Sequence, residues 1–249
     1  MRLGALFTPS DGSDPNHLKN NARALEAAGF DSIWTPQAIG RGFMLPDPLI
    51  ALAIAASVTE RVELGTAILQ LPLYNMTDVA LKVLSLQQAS GGRFILGVGA
   101  GSTESDYQVH GLPFAERFSR FWSSIDQLRE VFKSGDAGEG NLSPWPGVKG
   151  GPPIYFGTWG KNVARAASEF DGWIASGMHR TPEQCAAALT NYREAGGGSA
   201  IVSTIQVLPG QDLGELKEKL QQYQDAGFDD AVVMVFPGAA SLDQVRALV

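Results

Sequence analysis

The chain has 249 residues, 44 % of them hydrophobic and 18 % charged, which suits one closed α/β barrel and excludes a disordered chain. Its formal net charge of −7 argues against nucleic acid and anionic membranes as main partners, because both would repel an acidic surface. Cys185 is the single cysteine, so the sequence excludes an intramolecular disulfide and a thiolate metal site.

The N-terminus enters an apolar strand pattern directly, without a charged leader, and no apolar run is long enough to span a membrane. We therefore expect a cytoplasmic protein. Cys185 lies within a helical pattern, where a buried structural thiol is the expected role.

Eight short apolar segments predict strands that are buried on both faces of a parallel sheet. Each is bounded by glycine, proline or polar residues, as such strands usually are. In chain order they cover residues 2–9, 31–36, 62–69, 93–100, 153–158, 172–178, 201–208 and 230–236.

Eight segments with apolar residues at three- and four-residue intervals alternate with these strands and predict helices. Strict alternation implies right-handed crossovers, and eight repeats in this length favour a single (β/α)8 TIM barrel, class α/β, over residues 1–249. The helices cover residues 17–29, 47–58, 78–92, 115–132, 162–170, 181–196, 212–227 and 241–248.

One long irregular stretch, residues 134–153, separates the fourth helix from the fifth strand. Its glycine and proline content rules out a continuous helix. An insertion of this length predicts either a lid or a tether that crosses one end of the barrel.

The residues at the carboxyl ends of the strands are the candidates for a site, because barrel enzymes build their sites there. These ends are apolar and aromatic with hydroxyls and amides, and they carry few charges. They indicate a flat, partly apolar ligand and not a polyanionic sugar or a metal.

Glycines alternate at the end of the fourth strand, at Gly97, Gly99 and Gly101. The spacing G-x-G-x-G-S places Ser102 where a dinucleotide fingerprint has glycine, so the nucleotide signal is weak. Two interpretations stay open: the glycines thin the strand for barrel packing, or they let the backbone approach a planar ring closely.

The segment FGTWGKNVARAA, residues 156–167, is a better candidate for binding phosphate. Backbone N–H groups of Gly157 to Lys161 would converge at the start of a helix, whose dipole favours an anion, and the Thr158 hydroxyl would add a contact. A plain cap of the helix by Thr158 or Asn162 explains the pattern equally well.

Acid–base candidates are few. Glu104, Asp106 and His110 follow the glycine strand, and His179 follows the sixth strand, yet each also suits a solvated loop. No Ser/His/Asp order and no paired carboxylates stand out, and the three histidines lie too far apart to suggest a metal site.

The segment SGGRFILGVGAGSTESDY, followed by GLPFAER and RF, resembles the bacterial-luciferase-like flavin oxidoreductases, the luciferase-like monooxygenase family. Four further matches, at residues 28–34, 59–72, 152–174 and 226–233, extend the resemblance over nearly the whole chain. The resemblance implies a (β/α)8 barrel that binds reduced FMN, or alternatively the deazaflavin coenzyme F420, at the carboxyl ends of the strands.

The resemblance also implies which residues hold the coenzyme. The ring is expected against the end of the third strand, where many relatives have a non-proline cis peptide, and against the end of the fourth. The matching residues are Ala67 and Ile68 at the cis peptide, then Ala100, Gly101 and Ser102. The phosphate is expected on Gly157, Thr158, Trp159, Gly160 and Lys161.

The sequence departs from the family at three places that concern the substrate side. Many relatives end the second strand with an acidic residue or histidine, whereas this chain offers Gln37. After the third strand the family commonly has an NHP-like turn, whereas this chain reads Tyr74-Asn75-Met76-Thr77. Ser102 stands where deazaflavin enzymes often have glutamate. The catalytic candidates are Gln37, His110 and His179, with Gln70 as a further polar group near the substrate.

The function expected from the resemblance is a monooxygenase that uses reduced FMN and O2 on a small organic substrate, with flavin supplied by a separate reductase. Hydride transfer with F420, or flavin binding with little catalysis, are the alternatives. A homodimer through the early helices is also implied. A phosphosugar isomerase or aldolase is disfavoured, because no lysine or glutamate clearly occupies a strand end inside the barrel.

Overall fold

Strands and helices alternate along the whole chain in the computed structural model, which describes residues 1–249. The strands are β1 (Arg2–Leu6), β2 (Ser32–Thr35), β3 (Glu63–Thr66), β4 (Leu69–Gln70), β5 (Phe94–Gly99), β6 (Ile154–Gly157), β7 (Gly172–Ser176), β8 (Ser199–Val207) and β9 (Asp230–Val235). The helices are α1 (His17–Ala27), α2 (Pro48–Ala56), α3 (Met76–Ala89), α4 (Glu104–Gln108), α5 (Arg117–Ser134), α6 (Asn162–Glu169), α7 (Pro182–Glu194), α8 (Leu213–Ala226) and α9 (Leu242–Arg246).

The sheet is closed, which confirms the predicted (β/α)8 barrel. Its order is β3-β2-β1-β9-β8-β7-β6-β5-β4, every pairing is parallel, and a further β3–β5 pairing completes the circle. The predicted third strand is divided into β3 and β4, which occupy one position in the barrel. The peptide bond between Ala67 and Ile68, at the division, is cis as the resemblance implied.

Two apolar layers hold the barrel together. Aliphatic and aromatic side chains from the outward faces of the strands pack against the helices in a core of 53 buried residues. A second layer fills the barrel interior below the mouth, which leaves only the carboxyl ends of the strands free to shape a site. That inner layer consists of Leu6, Trp34, Ile95, Ile174, Ile201 and Val232.

Cys185 is fully buried on α7, where burial raises the pKa of its thiol to about 11. This confirms the expected structural thiol, since the reactive thiolate form is disfavoured there.

The irregular segment 134–153 lies at the amino end of the strands, between the end of α5 and the start of β6. Val148 is 5 % exposed within the core, and Gly150 donates its N–H to the Phe132 carbonyl over 2.8 Å. None of its residues lines the cavity at the carboxyl ends of the strands. The lid interpretation is therefore wrong, and the segment is a tether at the opposite end of the barrel.

No helix of the barrel combines the length and the apolar character that crossing a membrane requires.

Candidate active site at the carboxyl ends of the strands

A cavity of about 1290 Å³ opens at the carboxyl ends of the strands. Its walls combine apolar and aromatic side chains with hydroxyls and amides, as the strand ends indicated, and loops add charged side chains of both signs. Of the residues proposed from the sequence, the lining includes Gln37, Ala67, Ile68, Gln70, Ala100, Gly101, Ser102, Gly157, Thr158, Trp159 and His179. Gly160, Lys161 and His110 lie outside it.

The glycines at the end of β5 make room for the chain that joins β3 to β4. A Cβ built on Gly97 would overlap the carbonyl oxygen of Thr66, and one on Gly99 would lie 2.8 Å from Cδ1 of Ile68. The packing interpretation therefore holds for both glycines. At both positions the space beside the glycine is filled, by Thr66 or by Ile68, and Ile68 itself lines the cavity. Close approach of a planar ring stays a prediction for Gly101.

A buried carboxylate, that of Asp106 on α4, anchors one wall of the cavity. Asp106 is 0 % exposed, and its Oδ1 accepts from Nε of Arg41 over 2.9 Å and from the N–H of Ile39 over 3.1 Å. Its Oδ2 accepts from Nε2 of Gln70 over 2.9 Å and completes an ion pair with Arg41. Burial alone would raise the pKa of Asp106, but these hydrogen bonds outweigh it and hold the pKa below its usual value.

The Asp106 carboxylate also determines how the Gln70 amide is oriented. An ionised carboxylate only accepts, so Gln70 must present its NH2 group to it. The Oε1 of Gln70 then points toward Gly101, is buried, and has no hydrogen-bond partner. Gly101 has φ +77°, and a Cβ there would overlap that oxygen. The backbone after β5 thus passes close to the Gln70 amide, whose unpaired oxygen lies buried behind Gly101.

Gln37 bridges the neighbouring strand ends. Its Oε1 accepts from the backbone N–H of Gln70 over 2.8 Å, and its Nε2 donates to the hydroxyl of Tyr74. Burial raises the pKa of Tyr74 to about 12, so this phenol stays neutral. Both ends of the Gln37 amide are therefore hydrogen-bonded within the protein, and Gln37 positions the wall that Gln70 forms.

The histidines proposed from the sequence are separated. His110 is exposed, its Nδ1 lies 2.9 Å from the carbonyl oxygen of Asp106, and it is not part of the cavity lining. His179 follows β7 and lines the cavity. His17 also lines it, with Nε2 2.8 Å from the Thr8 carbonyl.

The start of α6 is uncapped and borders the cavity. No side chain caps it, and the N–H groups of Thr158, Trp159, Gly160 and Lys161 donate to no acceptor in the protein. The alternative of a plain cap by Thr158 or Asn162 is therefore wrong. The free donors are those that an anion at a helix N-terminus requires.

Arg180 adds positive charge beside these donors. Its guanidinium lies over the Trp159 ring, 4.8 Å from the centroid, and lines the cavity. It forms no ion pair, and its hydrogen bond within the protein is to the carbonyl of His179 over 2.8 Å. A cation without a carboxylate partner at this position complements an anionic ligand group.

Sequence reasoning missed three cations of the cavity lining, Arg41, Arg117 and Arg180, and it did not predict the anchoring role of Asp106. Asp106 was predicted as an acid–base candidate or a solvated loop residue, and the structure shows it fully buried. Its burial depends on Arg41 and Gln70, 65 and 36 positions away. Arg117 lines the cavity and stacks on Phe114, 4.2 Å from that ring.

These features fit a phosphorylated, planar coenzyme. The apolar wall at Ala67 and Ile68 suits a ring face, and the unpaired Gln70 oxygen lies at the neighbouring wall. Free backbone donors and Arg180 suit a phosphate at the other end. No group of three or more histidine, cysteine, aspartate or glutamate side chains is arranged to hold a metal.

The chain matches the family model described as luciferase-like monooxygenase over residues 3–241. Among curated relatives, it is 32 % identical over 152 residues to 4-hydroxyprotoasukamycin monooxygenase of Streptomyces nodosus subsp. asukaensis, covering 58 % of this chain and 41 % of that one. It is 33 % identical over 128 residues to F420-dependent glucose-6-phosphate dehydrogenase of Amycolatopsis mediterranei, covering 48 % and 38 %.

A solved F420-dependent secondary alcohol dehydrogenase, in complex with an F420-acetone adduct, superposes with a TM-score of 0.79 at 16 % identity. The match covers 100 % of this chain and 98 % of that chain, and at this identity it shows a shared fold alone. The chain spans about half the length of the curated relatives that it matches.

Proposed function

This chain belongs to the luciferase-like monooxygenase family, and we propose that it is an oxidoreductase that uses reduced FMN and O2 to oxygenate a small organic substrate. The observation that carries the proposal is the cavity itself. It joins an apolar wall at Ala67 and Ile68 to the uncapped start of α6, so that one continuous space accepts a ring and a phosphate.

In this proposal the ring lies against Ala67, Ile68 and the Ala100–Ser102 segment. The phosphate accepts from the free N–H groups of residues 158–161 and is neutralised by Arg180. When bound, the coenzyme supplies the redox chemistry, while the protein binds, orients and excludes water. Gln70 keeps its amide oxygen fixed beside Gly101, behind the proposed ring wall, because Asp106 holds the amide nitrogen.

His179 is our candidate for proton exchange with the substrate. It lies at the end of β7 on the cavity surface, whereas His110 lies outside the lining. We expect His179→Ala to lower kcat and His110→Ala to leave it within twofold. The opposite result would show that His179 is not the proton-exchanging group and would make His110, after α4, the candidate instead.

Hydride transfer with coenzyme F420 is the second candidate. The observation that favours it is the set of relatives whose names include F420-dependent dehydrogenases. The same ring wall and the same phosphate donors serve this coenzyme, but O2 takes no part in the reaction.

We also propose a homodimer through the early helices, and, for the FMN reaction, a separate reductase that supplies the reduced flavin. Ile50 on α2 and Leu81 on α3 support the dimer, because their side chains are 62 % and 56 % exposed. Sedimentation of the full chain tests it: a monomer at tens of micromolar would contradict the proposal.

The deciding experiment titrates the purified chain, without oxygen, with reduced FMN and reduced F420 in parallel, following tryptophan fluorescence. Riboflavin, which lacks the phosphate, is the matched control ligand. We expect FMN to bind at least tenfold more tightly than riboflavin. If neither FMN nor F420 binds below the high micromolar range, both candidates fail.

A second step separates the two reactions and the binding-only alternative. Admission of O2 and a panel of organic acceptors to the FMN complex should yield oxygenated product. Product that requires F420 and no O2 would favour the second candidate. Tight binding with no turnover in either case would indicate a flavin-binding protein with little activity.

A further inference from the structure

Strand β8 contains one extra residue at the level of the cavity. Along its pairing with β9, Val202 lies opposite Ala231 and Ile205 lies opposite Val233. Three steps on β8 therefore face two on β9, which is the pattern of a β-bulge at Ser203 and Thr204.

The bulge changes which side chains of β8 face the cavity. Ile201, before it, belongs to the layer inside the barrel, whereas Ile205 and Val207, after it, pack in the core beneath the helices. In a regular strand, residues two apart share a face, so Ile205 and Val207 would point inward with Ile201. The extra residue instead turns Gln206 toward the cavity.

The backbone at the bulge is unusual for its residue type. Thr204 has φ +63°, the left-handed region, which β-branched residues rarely adopt. One other non-glycine residue has a positive φ, Ser143, and it lies in the tether at the other end of the barrel. Such outliers persist where the surrounding structure requires them, often at ligand sites.

The bulge supplies a wall of neutral polar groups. The Ser203 hydroxyl lies 3.3 Å from that of Thr204, and Ser176 pairs with Ser203 from the adjacent strand. The Gln206 amide contacts only the sulfur of Met178, over 3.7 Å. All four polar side chains line the cavity and retain hydrogen-bonding capacity.

This wall lies across the barrel from the proposed ring wall. In the closed strand order, β8 is four positions from β3 in either direction. The side chains that flank it from β9 are apolar, Met234 and Phe236, and no carboxylate or cation stands on β8 or β9 within the lining.

We propose that the Ser203–Thr204 bulge, with Ser176 and Gln206, is the polar subsite of the organic substrate. It selects an uncharged, mostly apolar molecule that carries a carbonyl or hydroxyl group. Neutral donors and acceptors recognise such a group, whereas a carboxylate would find no cation on β8 or β9. On the β7 side the lining continues to His179 and Arg180, and the proposed function assigns Arg180 to the coenzyme phosphate. The inference rests on the proposed function, because it assigns the opposite wall to the coenzyme.

The test uses four naphthalene probes that differ in one group: 2-naphthol, 2-acetylnaphthalene, 2-naphthoate and naphthalene. Dissociation constants are measured calorimetrically with the chain loaded with FMN or, where that binds better, F420. We expect the naphthol and the ketone to bind at least tenfold more tightly than naphthalene and naphthoate. Tightest binding of naphthoate, or no binding by any probe up to its solubility limit, overturns the inference.

Two variants assign that preference to the bulge. In Ser203→Ala and Thr204→Gly, we expect the tenfold preference to fall to within twofold, with coenzyme affinity unchanged. Thr204→Gly should also raise Tm, because glycine adopts a positive φ without strain. An unchanged probe preference in both variants would overturn the subsite.

Ser143→Gly is the matched control, since it relieves a positive φ of +46° outside the cavity. It should raise Tm and leave all four probe affinities as they are. If coenzyme binding fails in the unmodified chain, the proposed function fails, and that failure is distinct from a loss of probe preference in a loaded protein.

Discussion

Gln70 donates to the Asp106 carboxylate over 2.9 Å and so ties the end of β4 to α4 behind one wall of the cavity. The same carboxylate receives Arg41 from the loop after β2. Three separate segments of the mouth are therefore held by one buried charge. Stability and coenzyme binding should both depend on it.

Replacing Asp106 with asparagine should destabilise the protein by about 2–4 kcal/mol. The change removes the charge from a fully buried carboxyl group, so that Arg41, Gln70 and the Ile39 N–H lose the ionised acceptor that all three share. Urea unfolding measures the effect. Asp78→Asn is the control, because its ion pair with Lys82 is exposed at 51 % and 53 % and should contribute under about 1 kcal/mol. Equal losses in the two variants would contradict the anchoring role of Asp106.

The pH dependence of that loss follows from the lowered pKa of Asp106. A carboxyl with a lowered folded-state pKa stabilises the protein above its ordinary value of 3.8, and this stabilisation is lost as pH falls through the folded-state pKa. The stability gap between the unmodified protein and Asp106→Asn should therefore narrow between about pH 5 and pH 3.

Asp230 should show the opposite slope. Burial raises its pKa despite the hydrogen bonds from Arg2, so its contribution is present at low pH and declines as pH rises through the folded-state pKa. The free energy of unfolding lost by Asp230→Asn should be greater at pH 3–4 than at pH 7. Linkage makes this difference about 1.4 kcal/mol for each unit by which folding raises the pKa. Parallel slopes for the two variants would contradict the opposite pKa shifts of Asp106 and Asp230.

Gly101→Ala should reduce both stability and FMN affinity. The residue has φ +77°, and an added methyl would displace the Gln70 amide oxygen. Gly111→Ala is the matched control, with φ +64° and open space around the new methyl. Both variants should lose about 1 kcal/mol from backbone strain, measured by urea unfolding. Only Gly101→Ala should lose more than that and weaken FMN binding.

The barrel was predictable from the sequence because each strand and helix carries its own local pattern. The start of α6 was predicted as a phosphate site for the same reason. Its glycines, the Thr158 hydroxyl and the helical pattern that follows all lie within one short segment, residues 156–167. The Asp106 anchor was not, because its burial depends on Arg41 and Gln70, which only the closed barrel brings to it.

The β8 bulge also escaped the sequence. The segment IVSTIQVL alternates in a way that suits an ordinary strand, and nothing local marks Thr204 for a positive φ. The extra residue becomes visible only in its register with β9. A feature that depends on the register between two strands cannot be predicted from the residue pattern of one strand alone.

Arg180→Ala should weaken reduced FMN binding about tenfold, because it removes the cation beside the free N–H groups of α6. The loss should shrink as salt rises from about 50 mM to 500 mM, since ionic strength screens exposed charge pairs. Arg23→Ala removes the same charge from α1, outside the cavity, and should change affinity less than twofold. A salt-independent effect would show that Arg180 acts through its packing on Trp159 and not through its charge.

Tyr107→Phe should separate stability from coenzyme binding when it is compared with Tyr192→Phe. Both phenols are buried and donate to backbone carbonyls, Tyr107 to Ala100 and Tyr192 to Ser199 over 2.9 Å. Each substitution leaves a carbonyl without its donor and should cost about 1–2 kcal/mol in urea unfolding. Ala100 lines the cavity and Ser199 does not, so only Tyr107→Phe should also weaken FMN binding, by threefold or more. A similar loss of FMN affinity in Tyr192→Phe would mean that any destabilisation of the barrel weakens binding. The Ala100 carbonyl would then make no specific contribution to the ring wall.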